Sequence, residues 1–133
     1  MRQLRIVLHM IVGVGALGAG QALIRDRSGE SMTFETAWLK GSPFNDYLVP
    51  GLFLFFIHGG LNLAAAYGLV RTRQWAPAVS LLAGVMLVAW ILIQWAIIGY
   101  RHWTQWMWLV TFTTMLGLAL SGGVTDLARR ARR

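Results

Sequence analysis

The sequence predicts an all-α fold: a single membrane domain over residues 1–133, built as a bundle of four transmembrane helices running up-down-up-down. Three observations predict it. The chain is 56% hydrophobic and 13% charged, about half the charge of an average soluble domain. Four apolar stretches, 6–24, 48–70, 76–99 and 106–124, contain no Asp, Glu, Lys or Arg. Each has a length close to the roughly 20 helical residues that cross the hydrocarbon core of a bilayer. Membrane strands would be shorter and would alternate apolar with polar residues.

The first stretch carries "GVGALGAG", in which Gly13, Gly15 and Gly18 have the G-x-G-x-x-G spacing of a dinucleotide-binding loop. That loop needs a strand before it, a helix after it and a βαβ unit around it, and nothing after residue 48 alternates strand with helix. Small residues at helical spacing serve a membrane helix instead. His9, Gly13, Ala16 and Gly20 share one face, where a neighbouring backbone can approach closely. Gly13, Ala16 and Gly20 are therefore helix-packing candidates. The basic start "MRQLR" and Gly20-Gln21-Ala22 resemble a secretory signal. The apolar run is longer than the usual 7 to about 15 residues of such a signal, so an uncleaved span is expected.

The loop over residues 25–47 is the one sizeable segment outside the spans. Phe34, Ala37 and Trp38 at i, i+3, i+4 predict a short interfacial helix ended by Gly41. We expect it to rest on the headgroups as a connector, through its Phe and Trp anchors, rather than to close the bundle. Ser42-Pro43 looks like an N-cap followed by proline at the first helical position. This would start the second span near Phe44, with a bend at Pro50-Gly51.

The short "RTRQW" makes spans two and three antiparallel neighbours, and Pro77 suits the first turn of span three. The turn before span four, "GYRHWTQWMW", has the composition of an aromatic belt. His102 within it is read as a solvated interfacial residue.

Charge sets the orientation. Arg2, Arg5, Arg71, Arg73, Arg129, Arg130, Arg132 and Arg133 fall on one side. On the other, Arg25, Arg27, Lys40 and Arg101 are balanced by Asp26, Glu30, Glu35 and Asp46. The positive-inside rule puts both termini in the cytoplasm. The net charge of +7 is thus topological, and no nucleic acid is expected as a partner. With no Cys in the chain, disulfides, thiolate metal sites and thiol catalysis are excluded.

Function in such a bundle resides in its polar interior. The inventory is His9 and Gln21, then His58 and Asn62, then Gln94, with Thr111, Thr113, Thr114 and Ser121 in span four. A rise of about 1.5 Å per residue puts His58 near mid-bilayer. It also gives an outer amide layer of Gln21 and Gln94 and an inner layer of His9 and Asn62. His58 and Asn62 share a face, as do Trp90 and Gln94. Gln21, His58, Asn62, Trp90 and Gln94 are the candidate ligand-binding set; the alternative role for them is interhelical hydrogen bonding.

His9 and His58 are the weak haem candidates, because a b-type haem takes two axial histidines. Their depths differ by about 10 Å at helical rise, which disfavours it, and no cofactor or metal is expected. No span carries a carboxylate, so active transport and hydrolysis find no support, and the reading leans away from an enzyme. What remains is a binding or passage module for a small apolar or neutral ligand. The alternative is an accessory subunit that docks a membrane partner, or a second copy, through the Gly/Ala face of the first span. A haem- or lipid-handling enzyme ranks third. Membrane lipids are the expected surroundings.

"SPFNDYLVPGLFLFF" (42–56), Gly60, Asn62, "WILIQ" (90–94) and "HWTQWMW" (102–108) together resemble a group of small bacterial four-span membrane proteins with an "SPF…YLIPGL" lead-in to the second span. A looser likeness, in architecture alone, is to DoxX-like proteins. The resemblance covers about Ser42 to Trp108. It implies the four-span fold and a bacterial cytoplasmic (inner) membrane, and it carries over no functional residue.

Overall fold

A computed structural model describes residues 2–101 and 103–133; His102 lies outside the described residues. Helix α1 spans Arg2–Arg25, α2 Leu48–Val70, α3 Ala76–Ile98 and α4 Thr104–Ala131. No strand occurs among the described residues. All four helices are long and apolar enough to cross a membrane, so the chain is a small multi-pass membrane protein. Helices α1 and α4 overrun the apolar stretches into their arginine-bearing flanks, where helical backbone continues at no hydrophobic cost.

The outer surface of the bundle is as oily as its inside. Ile11, Ile93 and Val110 are 58%, 56% and 63% exposed, a pattern that suits lipid as the solvent and would be unstable in water. Helix α1 packs along α2 and α3 along α4, whereas α1 and α4 touch little. Close approach of α1 and α2 depends on missing side chains. A Cβ at Gly20 would stand 2.6 Å from the Phe55 nitrogen and 2.7 Å from the Gly51 oxygen. One at Gly13 would meet Leu63 at 2.9 Å. Gly13, Ala16 and Gly20 are buried against α2 of the same chain. These three small residues therefore serve packing between α1 and α2 within the chain.

At mid-height, Val12, Leu87, Ile91, Phe112 and Met115 form the core. Arg5, counted from the sequence as a surface charge, is instead buried and packs its guanidinium over Gly122 of α4. At the end away from the termini, which we call distal, Leu23, Leu39, Tyr47 and Ile98 make a second cluster, joined by Met32, Phe34, Trp38 and Phe44 of the long loop. That loop forms two short 3-10 turns, Glu30–Met32 and Thr36–Leu39, and Gly41 follows at φ 84°.

Two loop expectations are corrected. The aromatic anchors turn inward and cover the end of the bundle instead of lying on headgroups, because Leu23 and Ile98 offer them an apolar floor. No helix starts at Ser42, whose hydroxyl bonds the Leu39 carbonyl at 2.7 Å. Helix α2 begins at Leu48, whose N–H donates to Asp46 Oδ1 at 3.0 Å. Pro50 then sits in the first turn, where a missing N–H leaves no bond unmade. Just after it, Phe53–Gly59 takes up a π-helical path, a rare geometry that concentrates at functional sites.

Candidate functional site

Two polar features lie inside the bundle, one above the other. The lower is a hydrogen-bonded node. His9 of α1 sits 2.8 Å from Asn62 Oδ1 of α2 through Nδ1, and 2.7 Å from Ser80 Oγ of α3 through Nε2. Asn62 Nδ2 donates to the His58 carbonyl at 2.8 Å. That bond orients the amide, so its oxygen is the acceptor facing His9. A neutral His9 then carries its proton on Nδ1 and accepts the Ser80 hydroxyl at Nε2. All three side chains are buried and every polar atom that faces another has a partner. The node ties three helices together as interhelical glue. The inner layer of His9 and Asn62 expected from helical rise is thus present, with Ser80 as a third member.

The upper feature is a cavity of about 520 Å³ in the distal half, within the range of about 300–1,000 Å³ usual for small-molecule sites. His58, Trp90 and Gln94 line it, together with Leu54, Trp108 and Arg101. His58 is fully buried, at 0% exposure, and neither of its ring nitrogens has a hydrogen-bond partner. Aromatic rings pack around it: Phe53 and Trp90 each stand edge-on, with centroids at 5.3 and 5.2 Å. Phe53 and Trp90 in turn stack on one another at 5.4 Å and 8°.

The π-helical turn positions this group. It carries Phe53 and His58 to the same side of α2, five residues apart, while Asn62 below keeps its face toward α1. Burying an imidazole without a partner costs about 1–3 kcal/mol, and ionisable groups inside a membrane mark functional sites by default.

The roof of the cavity is the long loop. Tyr47 is the pin: its N–H donates to the Arg27 carbonyl at 3.0 Å and its hydroxyl to the Glu35 carbonyl at 2.7 Å. Burial, and secondarily the Glu35 charge, push its phenol above the usual range, so it remains a donor. Arg101 lies over the Trp38 ring at 5.9 Å, and its Nε donates to the Ile98 carbonyl at 2.8 Å.

The five candidate residues therefore divide. His58, Trp90 and Gln94 meet at the cavity. Asn62 lies below it in the node. Gln21 is exposed on α1 and outside the lining, so the outer amide layer with Gln94 does not form. Thr111 and Thr114 are satisfied within α4 itself, bonding the Met107 and Val110 carbonyls at 2.9 and 2.8 Å. For the haem candidates, both nitrogens of His9 are already engaged, and His58 stands one layer higher in the cavity wall. No cluster of three metal-ligating side chains occurs among the described residues.

Sequence reasoning missed Ser80, Phe53 and the roof. The signal for Ser80 was available: Ala76, Ser80, Ala83, Gly84 and Leu87 follow helical spacing and are all buried. Phe53 had no such signal, because a π turn changes which residues share a face. No family model, curated protein or solved structure matches the chain.

Proposed function

We propose that this protein is a non-enzymatic binding module, which holds a small, neutral and largely apolar ligand in the distal half of its bundle. Both termini would be cytoplasmic and the host membrane the inner membrane of a bacterium. The observation that carries this reading is His58, fully buried in the cavity wall with both nitrogens unpartnered. A residue kept only for packing would be an apolar one, since an apolar side chain of similar shape avoids the desolvation penalty. A ligand with one carbonyl or hydroxyl group gives His58 its missing partner, and the Trp90, Phe53 and Trp108 rings suit the apolar remainder.

The lower node supports the same division of labour. Asn62, His9 and Ser80 hold the helices in position, while Gln94 and His58 face the ligand. The test is native mass spectrometry of the protein purified in mild detergent and, in parallel, in lipid nanodiscs, with an absorbance spectrum of the same samples. A bound species of defined mass, lost in His58→Leu and kept in Asn62→Leu, is the expected result. A clean apo mass from both preparations would overturn the reading.

A further inference from the structure

We infer that the cavity opens sideways into the hydrocarbon between α1 and α4, so that its ligand is a neutral lipid-dissolved molecule entering from the bilayer and not from water. The inference rests on the reading above that the cavity holds a ligand, and adds the route and hence the ligand class.

The walls of the cavity are unequal. Between α2 and α3 the Phe53–Trp90 stack closes the gap at its own level, while Ile93, one turn nearer the distal end, lines the cavity and is 56% exposed. Above, the loop covers most of it, with Phe34, Trp38, Leu39 and Tyr47 packed on Leu23 and Ile98, and Thr33 and Arg101 form an exposed rim at the distal end. Below, Val12, Leu87, Ile91 and Phe112 close the core. The remaining side is thinly packed as well. Helices α1 and α4 touch little, and Leu8 and Val12 of α1 share one core cluster with Leu109, Phe112 and Met115 of α4.

In the upper half, Gly15 lines the cavity and is nevertheless exposed, with nothing within 4 Å of where a Cβ would stand. Met107 of α4 also lines the cavity and is 41% exposed. Gly15 and Met107, like Ile93 of α3, are at once cavity wall and outer surface, and all three lie within the apolar stretches, so the cavity meets the hydrocarbon there.

What passes such an opening is decided by desolvation. Gly15, Ala19 and Met107 offer no charge and no strong hydrogen-bonding side chain to compensate an ion that leaves water, and in hydrocarbon that cost is several kcal/mol or more. A neutral chain-like lipid already dissolved in the bilayer meets no such cost. Its terminal carbonyl or hydroxyl reaches His58 while the chain trails through the opening.

The chain has no cysteine, so Leu54→Cys gives one labelling site in the cavity wall. The nitroxide-labelled full-length protein is reconstituted in phosphatidylcholine/phosphatidylglycerol vesicles. Power-saturation EPR is then recorded with oxygen, which partitions into hydrocarbon, and with a neutral nickel chelate, which stays in water. The expected result is collision with oxygen several-fold above that with nickel, and a several-fold fall in the oxygen term on adding Gly15→Trp. Ala19→Cys, labelled alike, provides a second position should Leu54→Cys fail to fold.

Nickel accessibility exceeding that of oxygen, or no response to Gly15→Trp, would overturn the lateral route. Failure of the route and of the binding reading are separable. A bound mass with a nickel-accessible label removes the route alone. An oxygen-accessible label on a protein that carries no bound mass removes the binding reading.

Discussion

His9 Nδ1 and Asn62 Oδ1 lie 2.8 Å apart across the α1–α2 contact, 53 residues apart in the chain, and the Ser80 hydroxyl completes the bond on the other side of the same ring. A polar group in the membrane interior has no water to return to, so its partners are chosen from neighbouring helices. One imidazole here satisfies two of them.

Removing Asn62 should therefore destabilise the fold. Asn62→Leu leaves His9 Nδ1 and the His58 carbonyl without their side-chain partner, and we expect a loss of about 1–3 kcal/mol. The His9–Ser80 coupling, from the cycle of His9→Leu with Ser80→Ala, should be smaller, near the average of about 0.6 kcal/mol for interhelical bonds in membranes. Equilibrium unfolding in mixed micelles measures both. An Asn62→Leu protein as stable as the parent would remove the node from any role in holding α1, α2 and α3.

His58 predicts the opposite sign. It has no bond to lose, and its burial is a cost that the fold carries. His58→Leu should leave the unfolding free energy unchanged or raise it by up to about 1–3 kcal/mol, while any co-purifying ligand disappears. The two variants differ by one helical turn on α2. A stability loss in His58→Leu as large as that in Asn62→Leu would mean that the imidazole has a structural partner.

Much of this was legible in the sequence. The four spans could be read because charge is absent from each, and hydrophobicity sums over some 20 residues in a way that no local conformation disturbs. That the faces bearing His58 and Trp90 both turn into the bundle followed from helical periodicity, whereas Asn62, grouped with them from the same periodicity, bonds His9 instead. The rest depended on features without a period. Gln21 sits at the outer end of its span like Gln94, yet faces outward, because rotation of α1 is fixed by Gly13 and Gly20 pressing on α2. The inward turn of Phe34, Trp38 and Tyr47 depends on tertiary contacts with Leu23 and Ile98. The π turn in α2 has no local composition that announces it.

The glycines of "GVGALGAG" separate by environment. Gly18→Ala has open space, and exchanging glycine for alanine in a helix should stabilise it by about 0.5–1 kcal/mol. Gly20→Ala forces a methyl against backbone of α2, with the Phe55 nitrogen at 2.6 Å and the Gly51 oxygen at 2.7 Å. Backbone cannot rotate aside as a side chain can, so α1 must shift, at about 1–3 kcal/mol. Thermal unfolding of the two variants side by side should move in opposite directions. Equal midpoints would mean that the α1–α2 contact is looser than these distances.

The first turn after α1 should respond to acid. Asp26 Oδ1 accepts from the Ser28 hydroxyl at 2.6 Å and its N–H at 3.2 Å, and Oδ2 accepts from the Ser31 N–H at 3.0 Å. The Ser28 hydroxyl bond, then that from the Ser31 backbone, holds the carboxyl below the usual aspartate range. A depressed pKa means that the folded loop binds the proton less readily than the unfolded one. Its contribution is complete above the unfolded value and is lost as pH falls through the lower, folded one. The turn should therefore be constant from neutral pH down to the ordinary aspartate range and open only below it. Amide hydrogen exchange at Ser31, corrected for the intrinsic pH dependence, reads this directly, and Asp26→Ala should show the open value at every pH. Because Tyr47 and Phe34 pin the same loop over the cavity, local opening at Ser31 should leave the roof intact. Protection at the Tyr47 amide, bonded to the Arg27 carbonyl, that fell together with that of Ser31 would instead make the Asp26 turn the fastening of the whole roof.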